Sequence, residues 1–337
     1  MYRSKISGLG HYLPKHVVTN HDLAKWMNTS DEWIVERTGI KERRYVQKGD
    51  GDTPSTMGTK AALMALENAG LSARDLDFII FATLSPDYYF PGPGVMVQDQ
   101  LGIREIGALD VRNQCSGFVY ALSVADQYIK TGMYRNVLVI GSELHSGGLD
   151  FTDRGRNVSV IFGDGAGAVV VSRAEEDEEG GILSTHLHSE GKYAKELAVI
   201  NPNTSHWVSD ILRENNPDDA SYYPYMNGNF VFKHAVVRFA EVIEEALHAN
   251  GYRPEDIDLL IPHQANLRIS QYIQQKMGLS DAQVYNNIMR YGNTTAASIP
   301  IAMSEAWQEG RIKTDNLICL AAFGSGFTWA SALIRWI

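Results

Sequence analysis

The chain carries one segment twice, and this repeat constrains its fold more than any other feature. Residues 67–83, ENAGLSARDLDFIIFAT, align with residues 248–264, HANGYRPEDIDLLIPHQ. In both copies a helical pattern stops at a glycine, a short loop follows, and an apolar strand begins. The matched pairs each lie 181 residues apart: Gly70 and Gly251, Asp75 and Asp256, Asp77 and Asp258.

A second pair of segments continues the parallel. RNVLVIGSE (135–143) and DNLICLAAFG (315–324) align at an offset of 180 residues. We therefore predict two similar halves, 1–175 and 176–337, and a site between such halves would draw residues from both. The alternative is a chance similarity between two helix–loop–strand units.

Strand-like and helix-like segments alternate along the chain. DFIIFATL (77–84), NVLVIGSE (136–143) and GAVVVSR (167–173) are short, continuous apolar runs, as expected of strands buried on both faces. Apolar residues at helical spacing fill 55–70 and 232–251, and each segment ends at glycine. This alternation predicts an α/β fold.

Composition narrows the class of protein. The 337 residues are 44% hydrophobic and 21% charged, which is typical of a soluble globular protein. A net charge of −10 argues against nucleic acid as the main partner. The first residues, MYRSKISGLG, lack the apolar core of a signal peptide, and no apolar run is long enough to span a bilayer. We therefore expect a cytoplasmic protein without a membrane partner.

Two cysteines are too few for a disulfide framework, and they lie in different settings. Cys115 follows the strand-like run 105–111 and opens CSGFVYALSVADQYI, which has helical spacing. Free amides at a helix N-terminus stabilise negative charge, so we predict a lowered thiol pKa and a nucleophile. The alternative is a small buried apolar residue, which is our interpretation of Cys319 within NLICLAAFG.

His263 and Asn293 are the candidate partners of Cys115. His263 follows the apolar strand DIDLLIP, and ligands of α/β folds bind at the carboxyl ends of strands. Asn293 precedes the helix-like AASIPIAMSEAW at about the position that Cys115 holds in the first half. The alternatives are a hydrogen-bonded histidine without a chemical role and an ordinary helix cap.

Other motifs exclude some kinds of site. His186 and His188 would share a strand face, but no further ligand lies at metal spacing, so we expect no metal. FGDGAGAVVV (162–171) leads into a strand and lacks the Lys-Ser/Thr of a phosphate loop. AAFGSGFTWAS (321–331) joins two strands, and its turn is either a plain hairpin or a place where an amide meets an oxyanion.

The segment 189–228 breaks the alternation. It is rich in Asn, Pro, Asp and Ser and shows no clear period. Long ordered loops are often functional. Its aromatic residues favour a packed lid over disorder: Trp207, Tyr222, Tyr223 and Tyr225.

Seven motifs in this order resemble the β-ketoacyl-acyl carrier protein synthase III family of the thiolase superfamily, over nearly the whole chain. They are NTSDEWIVERTGIKERR (28–44), CSGFVYAL (115–122), TDRGRNVSVIFGDGAGAVVV (152–171), NGNFVFKHAV (227–236), PHQANLRI (262–269), YGNTTAASIP (291–300) and FGSGFTWASALIRW (323–336). The resemblance implies a five-layered αβαβα fold of two duplicated halves. It also implies a homodimer that uses neither a metal nor another cofactor.

The resemblance assigns roles to the candidate residues. Cys115 takes an acyl group from acyl-CoA, and the backbone amides of Cys115 and Ser325 hold the oxyanion. His263 and Asn293 bind the malonyl thioester carbonyl while CO₂ leaves. The family's CoA site maps onto Trp33, Arg37, Arg154, Asn229, Phe232, Asn266 and Arg268. Phe90 walls the acyl pocket, often that of the partner subunit, and Lys233, Arg268 and Lys276 make a patch for an acidic carrier protein.

Several points stay open at this stage. Trp33 could instead be a core residue and Arg37 a plain surface charge. Residues 83–100 contain no glutamate where related enzymes place a base, which favours a malonyl extender. Ser325 stands where glycine is commoner, and the 189–228 loop is longer than the housekeeping pattern.

The predicted function is the condensation that initiates fatty-acid synthesis. The alternatives are a relative in specialised metabolism, an acyltransferase without condensation, and a non-catalytic acyl-CoA binder. The length of the priming acyl group and the choice between malonyl-carrier protein and malonyl-CoA are not fixed by these motifs.

Overall fold

The computed structural model describes residues 1–103, 105–203, 216 and 218–337. The strands are β1 (Ser4–Tyr12), β2 (His16–Thr19), β3 (Glu42–Tyr45), β4 (Phe78–Ala82), β5 (Gly107–Val111), β6 (Asn136–Glu143), β7 (Gly165–Arg173), β8 (Gly181–Ser189), β9 (Leu197–Ala198), β10 (Tyr225–Met226), β11 (Leu259–Pro262), β12 (Leu317–Gly324) and β13 (Thr328–Arg335).

The helices alternate with these strands. They are α1 (Asn20–Leu23), α2 (Asp31–Thr38), α3 (Pro54–Ala69), α4 (Pro93–Gln100), α5 (Gly117–Lys130), α6 (Arg156–Ser159), α7 (Gly228–Ala249), α8 (Leu267–Met277), α9 (Ile288–Tyr291) and α10 (Ser298–Gln308). The helical segments predicted at 55–70 and 232–251 are thus confirmed as α3 and α7. The second begins four residues earlier than predicted.

Two mixed sheets form the frame of the molecule. The first has the strand order β1-β7-β6-β4-β5, with β4 parallel to β5 and β6, and β7 antiparallel to its neighbours. The second has the order β11-β12-β13-β8, with β11 parallel to β12. Strands of the first sheet all lie within residues 4–173, and strands of the second within 181–335. The division at residue 175 stays a prediction.

Alternation of side chains along the buried strands builds five layers. In β4, Ile80 packs inward with α5 and α10, whereas Ile79 and Phe81 pack outward with α3. The inner cluster joins both sheets through α5 and α10. A third cluster packs α7 and α8 on the outer face of the second sheet. Three helical layers thus alternate with two sheets, which confirms the predicted αβαβα architecture. Strands buried on both faces need a helical layer on each side.

Hydrogen bonds confirm the internal repeat. The Asp77 carboxylate accepts from the Asn136 amide at 2.9 Å, and the Asp258 carboxylate accepts from the Leu317 amide at 2.7 Å. Each aspartate thus caps the start of the next strand, β6 or β12. Asn136 and Leu317 lie 181 residues apart. The predicted offset of 180 for this pair is therefore wrong by one residue, because side-chain similarity misled the alignment where backbone pairing sets the register.

The segment 189–228 contains local structure in its described parts. β9 and β10 pair antiparallel, Leu197 with Met226 and Ala198 with Tyr225. We call this two-stranded pair the ribbon. The guanidinium of Arg154 lies 5.1 Å from the centre of the Tyr223 ring. Trp207 lies outside the described residues.

Among the described helices, none combines the length and the apolar character needed to cross a membrane.

Candidate active site

One cavity of about 470 Å³ collects the three candidate catalytic residues. Cys115 comes from the start of α5, His263 from the end of β11, and Asn293 from the loop before α10. In sequence, Cys115 lies within the range of the first sheet's strands, 4–173, whereas His263 and Asn293 lie within that of the second sheet's strands, 181–335. The structure therefore brings these three side chains together from segments far apart in sequence.

The setting of Cys115 is a helix start beneath a tight turn. A single 3₁₀ turn, Gln114–Ser116, runs directly into α5, so the predicted position at a helix N-terminus is confirmed. The side chain is only 6% exposed. The neighbouring Ser116 hydroxyl donates to the Thr328 carbonyl at 3.0 Å, which ties the helix start to β13.

The prediction of a lowered thiol pKa is wrong. Burial raises the pKa of Cys115 to about 12, and the charge of the buried Glu143 carboxylate acts in the same direction. Amides of Ser325 and of Cys115 itself oppose this rise but do not reverse it. The physical reason is that desolvation of a thiolate outweighs the local dipoles of a helix end. Cys115 therefore rests as a neutral thiol.

Burial also keeps His263 neutral, because it lowers the pKa of its imidazole to about 3. The Nδ1 atom lies 2.6 Å from the Ser298 hydroxyl, and the backbone amide donates to the Ala321 carbonyl at 2.8 Å. Nε2 is buried and has no hydrogen-bond partner among the described residues. A buried polar atom left open in a cavity is a candidate for binding substrate.

Asn293 is held so that one end of its side chain stays available. Its Oδ1 accepts from the Thr295 amide at 2.8 Å, and its backbone amide donates to the Ile161 carbonyl at 2.8 Å. With the oxygen occupied, the NH₂ group is the end left to donate. The alternative of an ordinary helix cap is wrong, because Thr294 is the N-cap of the 3₁₀ turn and Ala297 is that of α10.

The Gly324-Ser325 turn lies directly on the cysteine. A Cβ atom on Gly324 would lie 2.5 Å from the Cys115 Cβ and 2.8 Å from its Sγ, so only glycine fits there. The Ser325 amide is directed at Sγ. The AAFGSGFTWAS turn is therefore more than a connection between strands, since it places a backbone donor beside the thiol.

The outer part of the cavity is aromatic and basic. Two guanidinium groups lie against the Trp33 ring, that of Arg37 at 4.7 Å and that of Arg156 at 4.8 Å from the ring centre. Asn266 caps α8 through the Arg268 amide and donates to the Arg37 carbonyl at 2.9 Å. The remaining predicted CoA residues that line the cavity are Asn229 and Phe232.

Arg154 differs from the other predicted CoA residues. It is not one of the described residues that line the cavity. Its guanidinium forms an ion pair with Asp150 at 2.6 Å and donates to the Asp218 carbonyl at 2.6 Å. The structure thus places Arg154 beside the 218–223 segment.

The other predicted contact residues lie at the surface. Phe90 is 82% exposed and projects from the loop before α4. Lys233 lies on α7, whereas Arg268 and Lys276 lie on α8, and all three are exposed. Only Arg268 of these four lines the cavity.

Sequence reasoning missed the residues that hold the catalytic set in place. Ser298 contacts His263, and Thr295 contacts both Asn293 and the buried His145, whose Nε2 lies 2.6 Å from the threonine hydroxyl. Glu143 is buried as well. The available signal was the run of small polar residues within YGNTTAASIP, but nothing in that run says which side chain each one meets.

Metal coordination has no support in the described ranges, where no group of three or more His, Cys, Asp or Glu side chains is placed to hold an ion.

Known proteins resemble this chain throughout its length. It matches the family 3-oxoacyl-[acyl-carrier-protein] synthase III over residues 109–191 and the C-terminal region of that family over residues 247–336. The β-ketoacyl-[acyl-carrier-protein] synthase III of Rhodospirillum centenum is 48% identical over 99% of both chains. That of Salmonella arizonae is 47% identical over 98% of this chain and 99% of its own.

Solved structures agree with these sequence comparisons. The 3-oxoacyl-[acyl-carrier-protein] synthase III of Aquifex aeolicus superposes with a TM-score of 0.89 at 44% identity, over 99% of this chain and 100% of its own. The priming β-ketosynthase of the R1128 polyketide pathway superposes at 0.88 with 30% identity, over 99% and 97%. On the sequence, the fold and the site together, the chain belongs to the 3-oxoacyl-[acyl-carrier-protein] synthase III family.

Proposed function

We propose that this protein condenses an acyl group from acyl-CoA with malonyl-acyl carrier protein, releasing CO₂ and giving the β-ketoacyl thioester that initiates fatty-acid synthesis. The observation that carries the proposal is the convergence in one cavity of a thiol, the buried Nε2 of His263 without a hydrogen-bond partner among the described residues, and the side-chain amide of Asn293. No metal or other cofactor takes part in the proposed reaction.

In the first half-reaction, Cys115 attacks the thioester carbonyl of acyl-CoA. The C–S bond to Cys115 forms as the C–S bond to CoA breaks, and the proton of the thiol ends on the departing CoA sulfur. The backbone amides of Cys115 and Ser325 both lie at the reacting sulfur, and in the proposed step they donate to the carbonyl oxygen as the tetrahedral intermediate forms. Because the raised thiol pKa leaves little free thiolate at neutral pH, the thiol loses its proton as the new C–S bond forms.

In the second half-reaction, the malonyl thioester loses CO₂ and leaves an enolate. Two neutral donors, His263 and Asn293, hold its oxygen while negative charge develops there. Each such donor contributes about 10²–10³ in rate. The enolate carbon then attacks the acyl-Cys115 carbonyl, the Cys115 thiolate leaves, and it takes a proton from solvent.

His263 can act this way only as the tautomer with its proton on Nε2. The Ser298 hydroxyl supports that tautomer by donating to Nδ1, while its own oxygen accepts from the Gln264 amide at 3.3 Å. Burial holds the imidazole uncharged, so in the proposed step it donates its N–H as a neutral group.

The outer cavity fits the CoA end of the substrate. Trp33 and Arg37 provide a stacking surface with positive charge for the nucleotide, and Asn229, Phe232 and Asn266 line the path inward. The family resemblance assigns Arg154 to the same ligand, although Arg154 does not line the cavity. Lys233, Arg268 and Lys276 give the nearby surface the positive charge that an acidic carrier protein needs.

We propose that the active form is a homodimer in the cytoplasm. β5 is an edge strand of the first sheet, and exposed apolar residues lie near it: Tyr88, Tyr89, Phe90, Val95 and Leu109. An exposed strand edge with an apolar surround is suited to pairing with a second copy. Phe90 would then reach the acyl pocket of the partner subunit.

The decisive experiment is intact-protein mass after incubation with acyl-CoAs from acetyl to dodecanoyl. A single acyl adduct in the wild type that is absent from Cys115→Ala supports the acyl-enzyme. Labelled CO₂ release from malonyl-carrier protein then separates condensation from simple acyl transfer. No adduct with any thioester would overturn the proposal.

Product mass tests the second candidate, a priming enzyme of specialised metabolism. The similarity to a polyketide priming synthase favours keeping it. A short β-ketoacyl-carrier protein product from a small acyl-CoA supports initiation of fatty-acid synthesis. A marked preference for a long or unusual acyl group supports the second candidate.

A further inference from the structure

The hydroxyl of Ser325 has a role that its backbone does not explain. The Ser325 amide is directed at the Cys115 sulfur, but its side chain leaves the turn in another direction and donates to the Leu197 carbonyl, 128 residues away. Leu197 belongs to the ribbon β9–β10. One residue therefore contacts both the nucleophile and the ribbon.

The ribbon forms part of the cavity wall. Leu197 and its partner Met226 both line the cavity that holds Cys115. Directly after Met226, α7 begins and supplies Asn229 and Phe232 to the same wall. The position of the ribbon thus determines how closely the wall surrounds a bound thioester.

Few other bonds join the ribbon to the body of the protein in the described residues. On its amino-terminal side, Glu190 and Phe327 exchange two backbone hydrogen bonds of 2.8 and 3.0 Å. On its carboxyl-terminal side, Asn227 donates to the Glu196 carbonyl at 2.8 Å, which closes the ribbon on itself. Leu197 and Met226 also pack against the apolar cluster on the outer face of the second sheet, and the Ser325–Leu197 bond adds a polar contact between the ribbon and the turn at the cysteine.

The turn itself is held by different groups. Thr328 Oγ1 donates to the Ser325 carbonyl at 3.1 Å and lies 3.3 Å from the Ser116 hydroxyl. Gly324 packs against Cys115. These contacts keep the Ser325 amide in place without help from the Ser325 side chain, so the two ends of the residue have separable effects.

We propose that Ser325 is a positioning residue. Its hydroxyl holds the ribbon against the Gly324-Ser325 turn and thereby sets the affinity for the acyl-CoA thioester. The proposal rests on the proposed function for the identity of the ligand. It goes beyond that function because glycine at this position would supply the same amide but no such bond.

Kinetics of Cys115 acylation by acetyl-CoA provide the first test. Ser325→Ala should raise the apparent KM about two- to tenfold, the range expected for one hydrogen bond, with little change in the limiting rate. Ser325→Thr keeps a hydroxyl and should restore most of the affinity. Thr328→Val loosens the turn instead, so it should lower the limiting rate.

Ser7→Ala is the matched control. Ser7 lies on β1, away from the cavity, and its hydroxyl bonds to the Val170 carbonyl at 3.3 Å and to the Ser172 hydroxyl at 2.8 Å. The KM of this variant should equal that of the wild type. If Ser7→Ala raises the apparent KM as much as Ser325→Ala does, the effect is a general one of lost stability, and the proposal is overturned.

Amide hydrogen exchange gives a readout independent of activity. Peptides covering 191–199 and 225–228 should exchange faster in Ser325→Ala than in the wild type and Ser325→Thr. The proposal would be overturned if Ser325→Ala showed the wild-type rate of amide exchange and the wild-type KM. It would also be overturned if only the limiting rate of acylation fell. If wild-type Cys115 takes no acyl group, the proposed function fails, whereas the exchange result still tests the bond itself.

Discussion

Cys115 and Cys319 are both buried cysteines whose thiol pKa is raised, yet only Cys115 lines the cavity that also contains His263 and Asn293. Both are buried, at 6% and 0% exposure, and burial raises the pKa of each to about 12. They differ in which face of the architecture they occupy. Cys319 lies in β12 and packs outward with α7 and α8, whereas Cys115 lies between the sheets on the cavity.

The neighbours of each sulfur make the second difference. Around Cys115 lie two backbone amides directed at Sγ, and His263 and Asn293 line the same cavity. The nearest recorded polar contact of the Cys319 sulfur is the Leu320 carbonyl at 3.9 Å. In the proposed reaction the Cys115 thiol acts as a nucleophile through its access to substrate and to hydrogen-bond donors, and not through a lowered pKa.

The largest expected difference is in condensation rate, between a variant without the Cys115 sulfur and one without the Cys319 sulfur. Cys115→Ala should lower condensation by a factor on the order of 10⁶, the loss typical of a missing nucleophile. Cys319→Ala should leave turnover unchanged. Steady-state formation of the β-ketoacyl-carrier protein by both purified variants checks this, and comparable losses in the two would mean that the cavity is not the reaction site.

The next prediction removes the donors and keeps the thiol. His263→Ala and Asn293→Ala should each lower decarboxylation about 10²–10³-fold, because one donor to the enolate oxygen is lost. Both should still form acyl-Cys115 in intact mass spectra. Normal condensation by either variant would remove that residue from the proposed mechanism.

Ser298→Ala should also lower decarboxylation while acyl-Cys115 still forms. The decrease should be smaller than in His263→Ala, because the imidazole stays in place. We expect about a tenfold loss in decarboxylation, equivalent to one hydrogen bond. Nitrogen NMR of labelled histidine should show a lower fraction of the Nε2-protonated tautomer. Ser298→Thr, which keeps a hydroxyl, is the control.

Three reactions should differ in their dependence on pH: alkylation of Cys115, alkylation of Cys319, and the decarboxylation in which His263 takes part. With a pKa near 12, the thiolate fraction of Cys115 rises about tenfold for each pH unit between 7 and 10, and alkylation by iodoacetamide should rise in parallel. Cys319 should react only after unfolding. Because the pKa of His263 is lowered to about 3, its imidazole is already neutral well below pH 6, and decarboxylation should show no inflection near pH 6.5.

The smallest effect concerns stability. Cys319→Ser buries a hydroxyl among apolar side chains and should lower the free energy of unfolding by about 1–3 kcal/mol. Cys115→Ser should cost less, because its oxygen meets the amides that face the sulfur. Urea titration of the two variants measures the difference, and a larger loss at Cys115 would contradict this account.

Much of the site could be predicted, because its residues lie at the ends of elements that the patterns mark. Cys115 follows a strand and opens a helix, and His263 follows an apolar strand. Trp33, Arg37 and Arg268 were carried over from the family motifs. Arg154 was carried over in the same way but lies outside the cavity lining, because its ion pair with Asp150 holds it elsewhere.

The sequence by itself determined the alternation of strands and helices, the repeat of its two halves, and the family motifs, since each is a local pattern. The tertiary structure alone decided the pKa of Cys115, the open Nε2 of His263 and the bond from Ser325 to the ribbon. Desolvation and hydrogen bonding depend on atoms brought together from distant segments. No local pattern records which segments those are.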